Sequence, residues 1–429
     1  CNFTVHKPLS VLFISTRLFR TKISLLAIFA MMLSGCNPSL RITGMDISNM
    51  YAERKDNNLS LSYIYHLNDS ISELGIALPA GLILPDPVTK TYTRQGKLLV
   101  EIIGAGKQVS LVDSATFSIA DTSVNSSFIS QTWAFKAPIA MDYFIKATYS
   151  VPGMQEDYML LEYFNKLNRF SQPWYRFRSE TGEYLSGNIT SVSAKYSLVT
   201  EDTNSRNINV RHYAFSRQAA TPPFIEPGQQ PERHQPDTTF NIELKNGRSE
   251  IFETEKTGIY FFPTNPDKQL GPVLLRMDHG FPKISMHKQM LEALRYITSA
   301  AEYKQLCLYE DPKTAVDSFW LATAGHENRA LELIRSYYSR VENANKLYTS
   351  YTDGWKTDRG MIYIVIGKPD MVFRSFEQEV WIYGEYDDPG ALRFYFDKIQ
   401  NPFTDNDYML VRDPEYKMIW YQYVQNWRR

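Results

Sequence analysis

Apolar residues alternate with polar ones through the first part of the chain. The clearest run has apolar side chains at every second position: Leu59, Leu61, Tyr63, Tyr65 and Leu67. This period of two predicts a strand with one buried face, and it returns over residues 143–151. Shorter apolar runs lie between the two, separated by Gly, Asp and Ser turns, which is typical of a sandwich. We therefore expect a β-sandwich-like domain over residues 45–151.

Residues 152–270 carry a second set of short apolar runs, which predicts another β-rich, sandwich-like domain. The runs lie at 174–177, 194–198, 208–215, 240–244 and 258–262. Residues 221–237 interrupt this pattern with five prolines. Because that composition favours an extended chain, we interpret 221–237 as a loop within the second domain.

Beyond residue 283 the apolar spacing changes to three and four, the period of an amphipathic helix. Ser299 and Glu302 match a capping box, and Asp311 precedes a proline that suits the first turn of another helix. A long helix is expected over 326–348, with this apolar stripe: Leu331, Ile334, Tyr338, Val341 and Ala344.

Strands are expected again near the end of the chain, at 361–366, 380–383 and 392–397. The fold class that follows is multidomain, mostly β and then α+β. Two N-terminal β-sandwich-like domains precede a helical segment and a small α+β domain, which together occupy residues 283–429.

The N-terminal segment has the layout of an export signal. A basic stretch at 16–22 is followed by an uncharged apolar run at 23–32 and then by Leu33-Ser34-Gly35-Cys36. This run is about half the roughly 20 residues that a membrane-spanning helix needs. We therefore predict a signal peptide over residues 1–35, although residues 1–15 could precede the true start because the chain opens on Cys1.

The four residues at 33–36 resemble the bacterial lipobox, in which the cysteine is acylated and becomes the first residue of the mature protein. The resemblance implies a lipid on Cys36, followed by a linker over residues 36–44. Acyl chains would then hold the protein on a membrane. In the Bacteroidetes, an acidic run just after the cysteine resembles a signal for display on the outer face, and its absence after Cys36 implies the periplasmic face of the outer membrane.

Composition and charge narrow the classes of function. Hydrophobic residues make up 43% of the chain and charged residues 22%, a globular composition. Residues 1–35 hold four basic residues and no acid, so their removal lowers the net charge from −1 to −5. That mildly acidic body argues against nucleic-acid binding. After processing at Cys36, Cys307 would be the only thiol in the chain besides the lipidated one, and we expect it to be buried.

The densest motif spans residues 351–370, YTDGWKTDRGMIYIVIGKPD. Asp353-Gly354 is a turn dipeptide, and Trp355 suits a core position. Thr357 and Asp358 are residue types that bond backbone N–H groups at turns. Arg359 and Gly360 would lead into a strand, which Gly367, Pro369 and Asp370 would end.

Residues 354–358 resemble the signature of the GWxTD domain-containing lipoproteins of Bacteroidetes. The similarity covers roughly residues 285–400. It includes Phe319-Trp320, Asn328 and Tyr337-Tyr338 upstream, and Gly367, Pro369-Asp370 and Val380-Trp381 downstream. The resemblance implies an exported protein that ends in this domain, and it implies no defined activity.

Several acidic residues surround the motif and are the candidates for chemistry: Asp353, Asp358, Asp370, Glu377 and Glu379. They could hold a cation or act as an acid–base pair, with Asp358 and Asp370 as the weak catalytic candidates. The alternative is that they cap helices and bond turns, which we favour. Asp278-His279 and His326 match no zinc-site spacing, so we predict no metal and no cofactor.

Aromatic residues crowd the C-terminal third of the chain. Some could form a partner surface: Trp381, Tyr383, Trp420, Tyr421, Tyr423 and Trp427. The alternatives are a groove for glycan or peptide and a small α+β core, and we favour the core except for the tail at 420–429, which would be a docking segment.

These observations favour a lipid-anchored envelope protein that acts as a non-catalytic scaffold or accessory subunit. Its β-domains would form a stalk, and it would bind an envelope protein through those domains and the C-terminal domain. The alternative is a hydrolase or glycan-binding protein that acts on envelope polymers through the acidic and aromatic residues around Asp358.

Overall fold

The computed structural model describes residues 45–51, 59–79, 94–105, 109–121, 128–152, 157–228, 235–265, 267–375 and 377–428. The predicted signal peptide, the lipidation site at Cys36 and the linker up to residue 44 lie outside the described residues. No helix formed by the described residues is long and apolar enough to cross a bilayer.

The first β region consists of two antiparallel sheets that bury one shared core. The strands are β1 (Ser60–His66), β2 (Ile71–Pro79), β3 (Arg94–Ala105), β4 (Val109–Asp121), β5 (Phe128–Lys136), β6 (Asp142–Ser150) and β7 (Tyr158–Asn165). One sheet has the order β1-β2-β5 and the other β4-β3-β6-β7. Leu74 and Ile76 of the first sheet pack with Val100 and Ile145 of the second. The period-two runs thus mark half-buried strands, as predicted.

The second β region forms one nine-stranded sheet that is almost entirely antiparallel. Its strands are β8 (Arg176–Ser179), β9 (Ile189–Thr190), β10 (Lys195–Val199), β11 (Arg206–Tyr213), β12 (Thr238–Lys245), β13 (Arg248–Ser249), β14 (Phe252–Glu253), β15 (Gly258–Phe261) and β16 (Val273–Arg276). The described part of the Pro-rich segment, 221–228 and 235–237, contains no strand. It is the loop that connects the paired strands β11 and β12, as the prolines predict.

The C-terminal region combines helices with a four-stranded antiparallel sheet. Its helices are α1 (His287–Ala293), α2 (Ala300–Leu306), α3 (Pro312–Ala324), α4 (Glu327–Tyr348), α5 (Asp358–Val365) and α6 (Tyr416–Asn426). Its strands are β17 (Met371–Arg374), β18 (Gln378–Tyr383), β19 (Leu392–Lys398) and β20 (Tyr408–Leu410). Mostly β sheets followed by an α+β region is the predicted fold class.

The predicted start signals of two helices are confirmed. The Ser299 hydroxyl accepts a hydrogen bond from the Glu302 N–H at 3.2 Å, and the Glu302 carboxylate accepts one from the Ser299 N–H at 3.3 Å. Asp311 caps α3, with Pro312 in its first turn. Both devices satisfy N–H groups that a helix leaves without internal partners.

The predicted strand at 361–366 is wrong, because residues 358–365 form helix α5. Every side chain of α5 is buried. A run that is apolar on all sides has no amphipathic period, so its spacing does not separate a buried strand from a buried helix. Thr357 caps α5 through the Gly360 N–H, and this cap is the local signal that favours the helix.

Two expectations about buried residues are also wrong. Cys307 is exposed at the C-terminal end of α2, where Leu306 is the buried residue of that helix. Leu331 is exposed on α4, whose buried residues instead include Ala330, Tyr337, Val341 and Ala344. A short apolar run defines an approximate face of a helix, and the packing partners decide which residues lie at its centre.

Residues 45–51 pack between the C-terminal region and strand β7 of the first β region, where Asn49 Nδ2 donates to Met159 Sδ at 3.7 Å. The Ile47 N–H donates to the Val372 carbonyl at 2.8 Å, and the Val372 N–H donates to the Asp46 carboxylate at 2.9 Å. These bonds pair the segment with β17, the edge strand of the C-terminal sheet. Ile47 and Tyr51 are buried in the same cluster as Trp355. The described chain therefore begins inside the core of its last region.

Candidate functional site

Two glycines allow the motif turn, which we define as residues 353–360, to contact α4 closely. A Cβ atom on Gly354 would lie 2.0 Å from the Ala344 carbonyl oxygen, and one on Gly360 would lie 2.0 Å from the Gly354 carbonyl oxygen. No side chain fits at such distances. These glycines are therefore required by the close approach of backbone segments.

Trp355 fastens the motif turn to the helices around it. Its side chain is buried, and its N–H donates to the Asn345 side-chain oxygen at 3.1 Å. The Tyr296 hydroxyl donates to the Trp355 carbonyl at 2.9 Å, and the two rings meet edge to face at 6.1 Å between centroids. The indole therefore fills the core, as predicted, while the backbone of Trp355 is bonded on both sides.

Thr357 and Asp358 join the motif turn to its surroundings in different ways. The Thr357 hydroxyl accepts from the Gly360 N–H at 3.0 Å and donates to the Gly354 carbonyl at 2.7 Å. Asp358 is buried and reaches a distant strand instead, accepting from the Leu410 N–H at 2.9 Å and from Arg412 Nη2 at 2.6 Å. The predicted local backbone bonding therefore holds for Thr357 and not for Asp358.

The far end of α5 is bonded as well. The Ile364 carbonyl accepts from Arg340 at 3.2 Å, and the Val365 carbonyl accepts from the Trp427 indole N–H at 3.0 Å. Terminal carbonyls lack partners within a helix, and burying them unbonded is costly. Arg340 and Trp427 thus allow an eight-residue helix to lie fully inside the protein.

Next to the motif turn lies a buried ionic cluster, which we call the Arg–Glu–Arg cluster: Arg359, Glu379, Arg374 and Tyr51. Arg374 contacts the Glu379 carboxylate at 2.7 Å, and Arg359 contacts it at 3.4 Å. The Tyr51 hydroxyl donates to Glu379 at 2.7 Å and accepts from Arg374 at 2.7 Å. The N-terminal segment thus supplies one member of the cluster.

Electrostatics keep Glu379 ionised in this cluster. Burial alone raises the pKa of Glu379, but Arg374 and Arg359 outweigh burial and lower that pKa to about 2. The Trp381 indole N–H also donates to the carboxylate, at 2.7 Å. Arg359 lies 4.1 Å from the centre of the Tyr408 ring, a cation–π contact. Every charge in the cluster therefore has a partner.

The remaining acidic candidates are dispersed. Asp353 pairs with Lys356 at 2.7 Å, and Asp370 accepts from the Gly384 N–H at 2.7 Å. Glu377 is exposed at the start of β18. Within the part of the chain that the structure describes, no group of three or more His, Cys, Asp or Glu residues could hold a metal ion.

The histidine candidates are also apart from each other. Asp278 and His279 line a cavity of about 10 Å³ beside Trp355, which is about the room that one water molecule needs. His326 caps α4, accepting from the Arg329 N–H at 3.3 Å.

The predicted partner surface is mostly buried. Trp381, Trp420 and Trp427 lie in the core, so their assignment to a surface is wrong. Of the three tyrosines, Tyr383 and Tyr423 are half-buried, and Tyr421 is 49% exposed. Trp420 and Trp427 turn inward because the C-terminal helix α6 packs against α5, and Trp381 lies on β18 inside the sheet.

The sequence analysis missed a second buried polar group, which we call the His–Ser–Lys cluster: His66, Ser72 and Lys166. Lys166 Nζ donates to the Ser72 hydroxyl at 3.0 Å, and His66 Nδ1 lies 2.9 Å from the same oxygen. His66 Nε2 lies 3.2 Å from the Asn165 carbonyl. Because a carbonyl only accepts, Nε2 carries the proton and Nδ1 accepts from Ser72.

Burial dominates the electrostatics of the His–Ser–Lys cluster. It lowers the pKa of His66 to about 3, with a further contribution from the charge of Lys166. It also lowers the pKa of Lys166 to about 8. A serine hydroxyl between two bases is an arrangement found at activated nucleophiles, but all three side chains are inaccessible to solvent.

Comparison with known proteins bears on the C-terminal region. Residues 258–429 match the model of one family, described as the GWxTD domain. Among proteins with curated descriptions, none matches the chain. The match begins earlier than the predicted resemblance and takes in β15 and β16 of the nine-stranded sheet. With its motif turn built around Gly354, Trp355, Thr357 and Asp358, the chain carries a GWxTD domain over residues 258–429.

Proposed function

We propose that this protein is a lipid-anchored envelope protein and a non-catalytic scaffold or accessory subunit. It would bind other envelope proteins through its β regions and its GWxTD domain. The observation that supports this most is the use of the motif itself. The polar groups of the motif make bonds within the domain. They belong to Trp355, Thr357, Asp358 and Arg359.

The N-terminal segment limits how far the GWxTD domain of such a protein could lie from the membrane. Eight residues lie between Cys36 and Met45, and a fully extended chain of that length covers about 30 Å at most. Residues 45–51 are bonded into the GWxTD domain through Val372 and Glu379. A lipid on Cys36 would therefore keep the GWxTD domain close to the bilayer, which revises the expectation that the β regions form a stalk beneath it.

A candidate contact surface lies on α6. Met418 is 75% exposed and Tyr421 is 49% exposed, and residues three apart share one helix face. The Tyr421 ring lies 5.6 Å from that of Phe224 in the Pro-rich segment. Adjacent exposed apolar side chains are more common at contact sites than elsewhere on a surface. This face supports a protein partner for the GWxTD domain.

The experiment is a crosslinking pull-down from native membranes with wild type and a Met418→Ser/Tyr421→Ser double variant. The matched control is Leu308→Ser, since Leu308 is 68% exposed next to a different helix. We expect the double variant to lose a partner that wild type and control retain, with melting curves unchanged. If all three capture the same proteins, or wild type captures none above background, the proposal fails.

Two other changes that might seem natural would be uninformative in that assay. Trp355→Ala and a deletion of residues 418–429 both remove buried indoles. Core truncations of this kind cost about 3–5 kcal/mol. They would report on folding and not on binding.

The alternative function was a hydrolase or glycan-binding protein acting through residues around Asp358. Both carboxylate oxygens of Asp358 are bonded, one to Arg412 and the other to Arg412 and the Leu410 N–H. No observation at Asp358 favours this alternative. Hydrolysis of an envelope polymer that is abolished by Asp358→Asn in a folded variant would restore it.

A further inference from the structure

A cleft of about 560 Å³ lies where the two β regions and the GWxTD domain meet. Its walls come from β7, from residues 168–173, from Val273 of β16, and from residues 401–406. The volume is within the range of small-ligand sites. No residue of the motif turn lines this cleft, so the cleft is separate from the Asp358 region.

Two side-chain amides in the cleft wall have fixed orientations. The oxygen of Asn168 accepts from the Phe170 N–H at 2.7 Å, and the oxygen of Gln172 accepts from the Val273 N–H at 2.8 Å. Because a backbone N–H only donates, each amide must turn its oxygen to that bond. Neither NH₂ group has an acceptor among the described residues. Two donors are therefore held in place and left for a ligand.

A third amide supplies the complementary group. Asn188 Nδ2 donates to the Val273 carbonyl at 3.1 Å, which leaves its oxygen as an acceptor. Gln172 and Asn188 bond the N–H and the carbonyl of the same residue, so these two amides are neighbours. The wall thus offers donors and an acceptor whose positions are set before any ligand arrives.

Aromatic and charged side chains form part of the remaining lining. Phe170, Phe403 and Tyr163 contribute rings. Phe403 is held by the Tyr213 and Phe261 rings, at 5.2 and 5.7 Å. The charged lining residues are two acids and two bases: Glu162, Asp405, Lys346 and Arg374. Lys346 pairs with Glu342 at 2.8 Å, Arg374 with Glu379 at 2.7 Å and Asp405 with Lys398 at 3.9 Å, so three of these four charged side chains already have a counter-charge.

We propose that this cleft binds a neutral oligosaccharide. Sugar hydroxyls both donate and accept hydrogen bonds, which matches fixed amide donors beside a fixed amide acceptor. The weakly positive C–H face of a sugar ring packs on the negative face of an aromatic ring. Because most charged side chains of the cleft are already paired, an uncharged ligand fits it best. This inference goes beyond the proposed scaffold function and does not depend on it.

The test replaces the two donors while keeping their structural bonds. Gln172→Glu and Asn168→Asp each retain an oxygen for the backbone N–H and exchange the NH₂ donor for a second oxygen. The matched control is Asn241→Asp, an exposed amide whose oxygen accepts from Asn209 at 2.9 Å. All variants are made in the full chain, and their melting curves are compared with that of wild type.

The probes are chitotetraose, cellotetraose, maltotetraose and mannotetraose, with pentaglycine as a neutral peptide, each titrated by calorimetry. We expect at least one oligosaccharide to bind wild type and the control equally, and the double variant about tenfold more weakly, since each of the two lost hydrogen bonds weakens binding about two- to tenfold. If the double variant fails to fold, the single variants are compared instead. No oligosaccharide binding, equal binding by the donor variants, or binding of pentaglycine alone would each overturn the proposal.

Discussion

Two buried polar clusters, one in the first β region and one centred in the GWxTD domain, accommodate buried ionisable groups differently. The Arg–Glu–Arg cluster keeps its groups ionised, because Glu379 contacts two arginines. The His–Ser–Lys cluster places two bases around one hydroxyl, and burial lowers the pKa of both bases. A buried charge persists when a counter-charge touches it, whereas a buried base without one is pushed towards its neutral form.

The clusters also differ in what they connect. His66, Ser72 and Lys166 come from β1, β2 and the end of β7, so they fasten strands of one sandwich. The Arg–Glu–Arg cluster joins Tyr51 to residues more than 300 positions further along the chain. A buried ionic network is weak evidence for net stability, but removing one member is strongly destabilising. The Arg–Glu–Arg cluster therefore makes the stability of the GWxTD domain depend on the N-terminal segment.

The largest expected effect comes from breaking the ionised cluster. Glu379→Ala leaves Arg359 and Arg374 buried without their carboxylate, and we expect the free energy of unfolding to fall by about 3–5 kcal/mol. The control is Glu377→Ala two residues away, where the side chain is exposed and the change should stay within about 0.5 kcal/mol. Urea unfolding monitored by tryptophan fluorescence measures both. Equal effects at the two positions would contradict the comparison.

The pH dependence of stability separates the clusters. The pKa of His66 is about 3 in the folded protein and 6.5 as a free side chain, so the unfolded state binds the extra proton between these values. The free energy of unfolding should therefore fall as pH falls below 6.5, by about 3 kcal/mol at pH 4.5. Glu379, with a folded pKa of about 2 against an ordinary 4.5, loses its contribution only as pH falls from 4.5 to 2.

His66→Gln should flatten the unfolding free energy between pH 6.5 and 4.5 and reduce the loss between pH 4.5 and 3, while the loss that Glu379 contributes below pH 4.5 stays in place. Burial also lowers the pKa of His212, so some slope will remain in the upper window. His287→Gln, at an exposed position, is the control and should keep the wild-type slope. If His66→Gln and His287→Gln behave alike in urea titrations at each pH, His66 is not held neutral.

An intermediate effect tests the link to the N-terminal segment. Tyr51→Phe removes a hydroxyl that bonds Glu379 and Arg374, and we expect a loss of about 1–3 kcal/mol, since buried charged partners lose a hydrogen bond. Tyr421→Phe alters an exposed ring and should change little. Chemical unfolding of the two variants measures the difference. Protection of backbone amides in β17 from hydrogen exchange should also fall in Tyr51→Phe alone.

The pattern of apolar residues predicts the parts of this fold that depend on local contacts. The strands around 59–67 and 143–151, the capping box at Ser299 and the long helix all follow from spacing within a few residues. The helix α5 was mistaken for a strand because burial on every side erases the period. The pairing of residues 45–51 with β17 was not predictable, since no local pattern specifies a partner so far along the chain.

The candidate site was predicted unevenly for the same reason. The glycine, tryptophan and threonine residues of the motif act on their near neighbours. Their roles in a close backbone contact, in the core and in a turn hydrogen bond could therefore be predicted from the sequence. Asp358 and Glu379 bind residues on other elements of the fold. The sequence alone therefore does not indicate the partners of their carboxylates. Trp420 and Trp427 lie in a tail that resembles a docking segment until α6 is placed against α5.

The smallest expected effect concerns how Arg359 is brought to the ionised cluster. Arg359 is the second residue of α5, directly after the cap formed by Thr357. Thr357→Ala removes the acceptor for the Gly360 N–H and the donor to the Gly354 carbonyl, which should cost about 1 kcal/mol. Thr357→Ser keeps the hydroxyl and should recover most of that loss.

A double-mutant cycle with Glu379→Ala tests whether the cap positions Arg359. The loss of unfolding free energy in the double variant should be smaller than the sum of the two single losses, because both changes act on the position of Arg359. Strict additivity would mean that the cap stabilises α5 without orienting Arg359. The motif turn and the Arg–Glu–Arg cluster would then contribute to stability independently of each other.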